Sequence, residues 1–154
     1  KEWFYPATND VVVFDQLVDW AKHPEDAVKY FSGTANYRKT FQVSGLKSPV
    51  SKAFLDLGTV SETAKVTLNG KELGVVWCAP QRVDITEAIK PGENVLKIVV
   101  VNNWPNRLIG DGKLPAEQRR TRTNIGNYNP PKTGEHKLLS SGLLGPVQIL
   151  IREK

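Results

Sequence analysis

The sequence predicts an all-β fold, an antiparallel β-sandwich with one or two short N-terminal helices. Three observations carry that expectation. Apolar residues recur at period two from Tyr37 onward, the spacing that turns one face of a strand toward a core. Turn signals separate these runs roughly every ten residues, with almost no helical pattern between them. One turn is Asn69-Gly70, a pair that tolerates the positive φ angles a two-residue hairpin needs. The 154 residues, 40% hydrophobic and 24% charged, are enough to bury one core without staples, so a single domain over 1–154 is expected.

Taken in order, residues 1–10 carry Trp3, Phe4 and Tyr5 without a clear period and read as a linker-like start. Residues 11–14 are a short strand candidate, and 17–21 read as one or two helical turns. Residues 23–33 are the strongest helix candidate. Pro24 suits the first helical position, Glu25 and Asp26 suit the positive end of the dipole, Val28 and Phe31 share a face, and Gly33 supplies a stop. Strands are then expected at 37–43, with Tyr37, Phe41 and Val43 inward, and at 52–57. Thr63–Leu68 and Lys71–Val76 flank the Asn-Gly turn. Further strands are expected at 82–85, at 95–101 after a turn at 91–94, and at 147–151.

Residues 102–142 break this rhythm. They are polar and rich in Gly, Pro, Asn and Arg, and a loop of such length in a compact domain is usually functional. Arg107, Lys113, Arg119, Arg120, Arg122, Lys132 and Lys137 face only Asp111, Glu117 and Glu135 in this segment, so most of the chain's net +5 is concentrated there.

Several function classes are disfavoured. No apolar run approaches the ~20 residues of a membrane-spanning helix, so no membrane partner is expected. Lys1 and the lack of any Met predict a processed or excised segment, and the first residues do not have the order of a signal peptide. Cys78 has no second Cys to pair with, and with only His23 and His136 it makes no zinc site; it reads as a small buried hydrophobe. No Ser/His/Asp pattern, P-loop, HExxH or dinucleotide fingerprint is present, and no cofactor is expected. Glycoside hydrolysis needs two opposed carboxyls. Asp111, Glu117 and Glu135 read instead as surface groups or as partners of Arg119, Arg120 or Arg122. The pI near 9.4 raises nucleic acid as a partner. The Arg119-Arg120-Thr121-Arg122 run, however, has only Tyr128 nearby for base stacking, so none is expected.

Four stretches, in this order, resemble a known family. They are Tyr30-Phe31-Ser32-Gly33-Thr34-Ala35-Asn36-Tyr37-Arg38-Lys39-Thr40-Phe41, and Leu55-Asp56-Leu57-Gly58 leading to Ala64-Lys65-Val66-Thr67-Leu68-Asn69-Gly70-Lys71-Glu72-Leu73-Gly74. Asp84-Ile85-Thr86, Pro91-Gly92-Glu93-Asn94 and Asn102-Asn103-Trp104-Pro105-Asn106-Arg107-Leu108-Ile109-Gly110-Asp111 follow, and Ser141-Gly142-Leu143-Leu144-Gly145-Pro146-Val147 closes the series. The series resembles the galactose-binding-like jelly-roll domain of glycoside hydrolase family 2, in the version found in family 106 α-L-rhamnosidase-like bacterial glycosidases. The resemblance implies a non-catalytic accessory domain excised from a larger hydrolase that is periplasmic or secreted. Its partners would be the other domains of that parent and an oligo- or polysaccharide. An autonomous carbohydrate-binding module is the alternative. Such sandwiches commonly hold calcium, but no dense cluster of oxygen ligands is seen here, so no metal is expected.

Sugar binding needs an aromatic face beneath the ring, with amides, carboxylates or Arg to catch hydroxyls. Trp77, Trp104 and Tyr128 are the candidate platforms, and Asn102, Asn103, Arg107, Asp111, Arg122 and Asn124 the candidate polar partners. The structural alternative is that Trp104 is buried as the anchor of the loop and that Arg107 pairs with Asp111 to hold it. Trp3 and Trp20 read as core or linker-packing residues.

Overall fold

The computed structural model describes residues 2–5, 10–12, 15–45, 52–121 and 137–152, the first two segments as backbone only. Among them eleven strands are named β1 (Glu2–Tyr5), β2 (Asp10–Val12), β3 (Thr34–Val43), β4 (Lys52–Asp56), β5 (Thr59–Val60), β6 (Thr63–Leu68), β7 (Lys71–Val76), β8 (Arg82–Asp84), β9 (Gly92–Val101), β10 (Leu143–Gly145) and β11 (Gln148–Arg152). Two α-helices, α1 (Asp26–Lys29) and α2 (Pro105–Gly112), and two 3₁₀ turns, Trp20–Lys22 and Ala116–Gln118, complete the list.

A six-stranded sheet runs in the order β2-β1-β3-β9-β6-β7. It faces a three-stranded sheet, β11-β4-β8, and the small β10-β5 pair. All the strand pairs are antiparallel. The protein is the antiparallel sandwich that the period-two pattern predicts.

Alternation explains the layering. On β6, Ala64, Val66 and Leu68 turn inward, and on β9 Leu96, Ile98 and Val100 do the same. Ala53, Leu55, Val83 and Ile85 meet them from the opposite sheet, and Leu57, Val60 and Leu143 fill the remaining space. Leu55, Leu57, Leu68 and Ile85 are at most 2% exposed; burying a side chain of that size is worth about 1.5–3 kcal/mol. Trp20 joins this core. Its ring lies parallel to Tyr37 at 6.2 Å and edge-on to Phe31 at 5.5 Å.

The sheet has two distinct ends. At the first, β6 turns into β7 through Asn69 (φ 52°) and Gly70 (φ 83°), the left-handed pair the hairpin demands. Asn69 also accepts a hydrogen bond from the Val95 N–H (2.9 Å) and donates to Ala88 O and Asn94 Oδ1 (2.8 Å each). Asn94, fully buried, accepts from the Lys90 N–H and donates to the Lys90 and Gly92 carbonyls. The second end gathers the start of β3, the start of β6, the end of β7 and the end of β9, because Thr63 and Thr34 both pair with Val101, and Ala64 with Val76.

Several expectations are corrected. Residues 1–10 are not wholly linker-like: β1 inserts between β2 and β3, and Trp3 registers opposite Tyr37. The short N-terminal helices are present as expected, but their bounds are tighter. The first turn covers only Trp20–Lys22, and α1 only Asp26–Lys29, with Glu25 rather than Pro24 next to its start. Val28, Tyr30 and Phe31 are drawn into the interior, and the chain leaves the helix to bury them. Residues 102–142 are not all loop, since α2 occupies Pro105–Gly112. Cys78 is exposed, not buried, because it follows the last core residue of β7, Val76, in the connection to β8.

Candidate functional site

The candidate site is built on the second end of the sandwich. Two features raise it there: the connection from β7 to β8, which carries Trp77, and the segment after β9, which carries Trp104 and α2. β7 and β9 are separated only by β6, so both indoles leave the same end of one sheet. Trp77 is 71% exposed and Trp104 is 65% exposed. Leaving an indole in water forfeits a large burial gain, which makes exposed pairs of this kind informative. The alternative in which Trp104 is a buried anchor does not hold.

A buried polar network anchors the platform. Asn102 accepts from the Gly33 N–H (2.8 Å) and donates to the Phe31 carbonyl (2.9 Å). One turn on, Asn106 donates to the Leu139 carbonyl (2.7 Å) and Ser141 Oγ (3.0 Å) and accepts from the Leu139 N–H. The Ser141 N–H donates to Asp19 Oδ1, and the Trp20 N–H donates to the Ser141 carbonyl. Gly142 follows at φ +97°, where a Cβ would lie 2.5 Å from the Trp20 ring, so the strap of residues 139–142 closes flat on that indole. Side-chain amides do this work because each can satisfy a carbonyl and an N–H of a separate, irregular segment at once.

Helix α2 then orients the surface. Pro105 occupies its first turn, which fixes φ where no N–H is needed. Trp104, Arg107 and Asp111 lie at i, i+3 and i+7 and so share one face. Arg107 Nη2 sits 3.0 Å from Asp111 Oδ1, with side-chain exposures of 12% and 4%. The Thr121 N–H (2.8 Å) and hydroxyl both donate to Asp111 Oδ2. Burial pushes the Asp111 carboxyl up, but the Thr121 bonds, the Arg120 N–H and the Arg107 charge together hold it below the ordinary carboxylate value. Among the described residues Arg107 Nε and Asp111 Oδ1 make no hydrogen bond, so Oδ1 is held by the ion pair with Arg107 alone.

The sequence-derived candidates therefore separate. Trp104 and Arg107 come together in a groove of about 260 Å³ whose other walls are Phe31, Ser32, Arg120 and Thr121. Trp77 stands at the same end of the sheet, outside that groove, and Asn103 is exposed, its carbonyl accepting from the Ser32 hydroxyl. Asn102 and Asp111 correct the expectation of direct sugar partners: both are buried, and their polar groups are directed at the chain itself. Arg122, Asn124 and Tyr128 lie outside the described residues. Phe31, Ser32, Arg120 and Thr121 were not among the candidates. The first two are some seventy residues from Trp104 in sequence, and the Arg119–Arg122 run reads on its own as solvated charge. A larger cavity of about 440 Å³ opens between the sheets beside β3 and β11, but its lining is mainly apolar core, including Leu17, Tyr37, Phe41, Leu96 and Ile149.

Comparison with known proteins bears on the site as a whole. Residues 6–130 match the family described as glycosyl hydrolase 2 galactose-binding domain-like. The chain is 47% identical over 163 aligned residues to a "Putative beta-glucuronidase" of Formosa agariphila, an alignment covering 92% of the chain and 14% of that protein. A beta-galactosidase of an Arthrobacter species is 37% identical over 75 residues, 46% of the chain and 7% of that protein. Among solved structures, a rhamnosidase from Novosphingobium sp. PP1Y matches with a TM-score of 0.83 at 36% identity, over 96% of the chain and 14% of that enzyme. The chain thus spans only a small fraction of each of these proteins.

Proposed function

This chain belongs to the glycosyl hydrolase 2 galactose-binding-like family, and from that membership we propose that it is a non-catalytic accessory domain of a larger bacterial glycoside hydrolase, α-L-rhamnosidase-like in kind. Coverage carries the reading. Nearly all of the chain aligns, yet it accounts for 14% of each of two large relatives. A hydrolase so divided keeps its reaction in another part of the polypeptide. The rim supports the same view: Asp111, on the α2 face that follows Trp104, is committed to Arg107 and Thr121 rather than to a substrate. In the parent, the sandwich packs against neighbouring domains and lends its aromatic end to the edge of the active site. The parent works in the periplasm or outside the cell, and fractionation of a producing strain tests that location.

The direct test is release of nitrophenol from aryl α-L-rhamnosides and aryl β-glucuronides by residues 1–154 alone and by the parent. Turnover by the parent and none by the isolated chain is expected. Turnover by the isolated chain would make it a hydrolase in its own right.

A second reading, an autonomous carbohydrate-binding module, is favoured by one observation, the exposure of both Trp77 and Trp104. It predicts that the isolated chain binds immobilised glycans and that Trp104→Ala removes the binding. Silence across plant and bacterial glycans would count against it.

A further inference from the structure

We propose that the groove beside Trp104 binds one ring of an anionic saccharide, a sugar bearing a carboxylate or a sulfate, with Arg120 as the residue that selects the charge; this rests on the reading that the rim contacts carbohydrate.

Size comes first. The groove measures about 260 Å³, just under the ~300–1,000 Å³ of pockets that enclose drug-sized ligands, so it suits one ring rather than an oligosaccharide. Its aromatic wall is the exposed Trp104 indole, whose position is set by Pro105 and the start of α2. A bare indole at a groove edge accepts the C–H face of a pyranose. The Ser32 and Thr121 hydroxyls also line it; their protons go to the Asn103 carbonyl and to Asp111, which leaves their oxygens as acceptors.

Charge decides the class of sugar. Two cations line the groove, and they are not equivalent. Arg107 is matched by the carboxylate of Asp111. Arg120 forms no ion pair among the described residues, and its side chain is exposed. Its main chain is nevertheless held, because its N–H and that of Thr121 are both directed to Asp111. The backbone is tied down while the guanidinium is left unmatched. A planar guanidinium presents paired N–H donors that fit two oxygens of a carboxylate or sulfate, a match that neutral hydroxyls do not offer. Residues 104–121 carry Arg107, Lys113, Arg119 and Arg120 against only Asp111 and Glu117, an excess of the same sign.

The test is calorimetric titration of residues 1–154 with a disaccharide ending in glucuronic acid, its glucose-ended counterpart, and a 6-sulfated glucose analogue, at low and high salt. The acidic and sulfated sugars are expected to bind about fivefold or more tighter than the neutral one, with the margin shrinking as salt rises. Comparing the two charged sugars identifies which anion the groove prefers. Arg120→Gln should erase the margin, weakening the charged sugars far more than the neutral one, Trp104→Ala should weaken all three, and Arg38→Gln, a loss of charge on β3, should leave the margin intact.

Equal binding of charged and neutral sugars would overturn the charge selection and leave the carbohydrate reading standing. No binding of any sugar, by a chain that unfolds cooperatively, would overturn both. A margin that survives Arg120→Gln, or that falls equally in Arg38→Gln, would assign the preference to net charge instead of the groove. Displacement of the sugar by a short oligonucleotide at lower concentration would reassign the surface to nucleic acid.

Discussion

The two ends of the sandwich are sealed with the same chemistry and used differently. At the first end, Asn69 and Asn94 tie the β6–β7 turn to the start of β9. At the second, Asn102, Asn106 and Ser141 tie α2 and the 139–142 strap to the residues before β3. In both places a buried amide satisfies backbone groups that no strand ladder reaches. The first end stops there, with surface pairs such as Lys71–Glu87 around it. The second continues outward into a helix, a groove and two indoles left in water. The amide seal is thus a structural device common to both ends, and the candidate site is what is mounted on one of them.

The largest effect that would sharpen this contrast is expected from Asp111→Asn. It leaves Arg107 buried without its counter-charge and should cost about 3 kcal/mol, read by urea unfolding. Hydrogen exchange should rise through residues 102–121 and stay unchanged in β6 and β9. Because the Asp111 carboxyl is held below its ordinary value in the folded state, its contribution is full at neutral pH. That contribution is lost as pH falls below the unfolded carboxylate value near 3.9 and toward the lower folded value. The variant should therefore show a shallower loss of stability in acid than the parent chain.

Asn94→Ala, at the other end, should cost about 2 kcal/mol, because the Lys90 N–H and the Lys90 and Gly92 carbonyls lose their partner in a fully buried place. Here exchange should rise across the six-stranded sheet, since β9 is one of its central strands. If instead only the turn loosens, the two ends are more alike than the contrast allows. Tyr37→Phe should cost about 1 kcal/mol, the worth of the bond its hydroxyl accepts from the Leu143 N–H (2.9 Å). Differential scanning calorimetry would resolve it. Arg82→Ala removes a half-exposed partner of Asp56 and should change stability by about 0.5 kcal/mol, the baseline against which the others are judged.

The contrast also explains what the sequence could and could not reveal. Where local chemistry decides, the reading succeeds: Asn69-Gly70 needs no distant partner to be a turn, and β6 and β7 have the expected bounds. Where a distant partner decides, it falters. β1 exists because the edge of β3 is available to pair with it, which residues 2–5 cannot announce by themselves. The expected helix over 23–33 shrinks because Tyr30 and Phe31 are worth more in the interior than in a further helical turn. Helix α2 was hidden by its own Pro, Asn and Gly. Pro105 at its start and the Arg107–Asp111 spacing were the available signals. In the site, Trp104 and Arg107 were legible as residue types. Arg120 was not, because its place in the groove wall and the anchoring of its backbone at Asp111 come from the fold and not from the sequence around it.

One measurement bears most directly on the whole account: hydrogen–deuterium exchange of residues 1–154, isolated and within the parent hydrolase, with and without saccharide. The sandwich strands β3, β6 and β9 should exchange alike in every state, while residues 77–81 and 102–121 gain protection in the parent or with sugar. Equal exchange at that end in all states, with new protection at the Asn69–Asn94 end instead, would contradict the assignment of function to the aromatic rim.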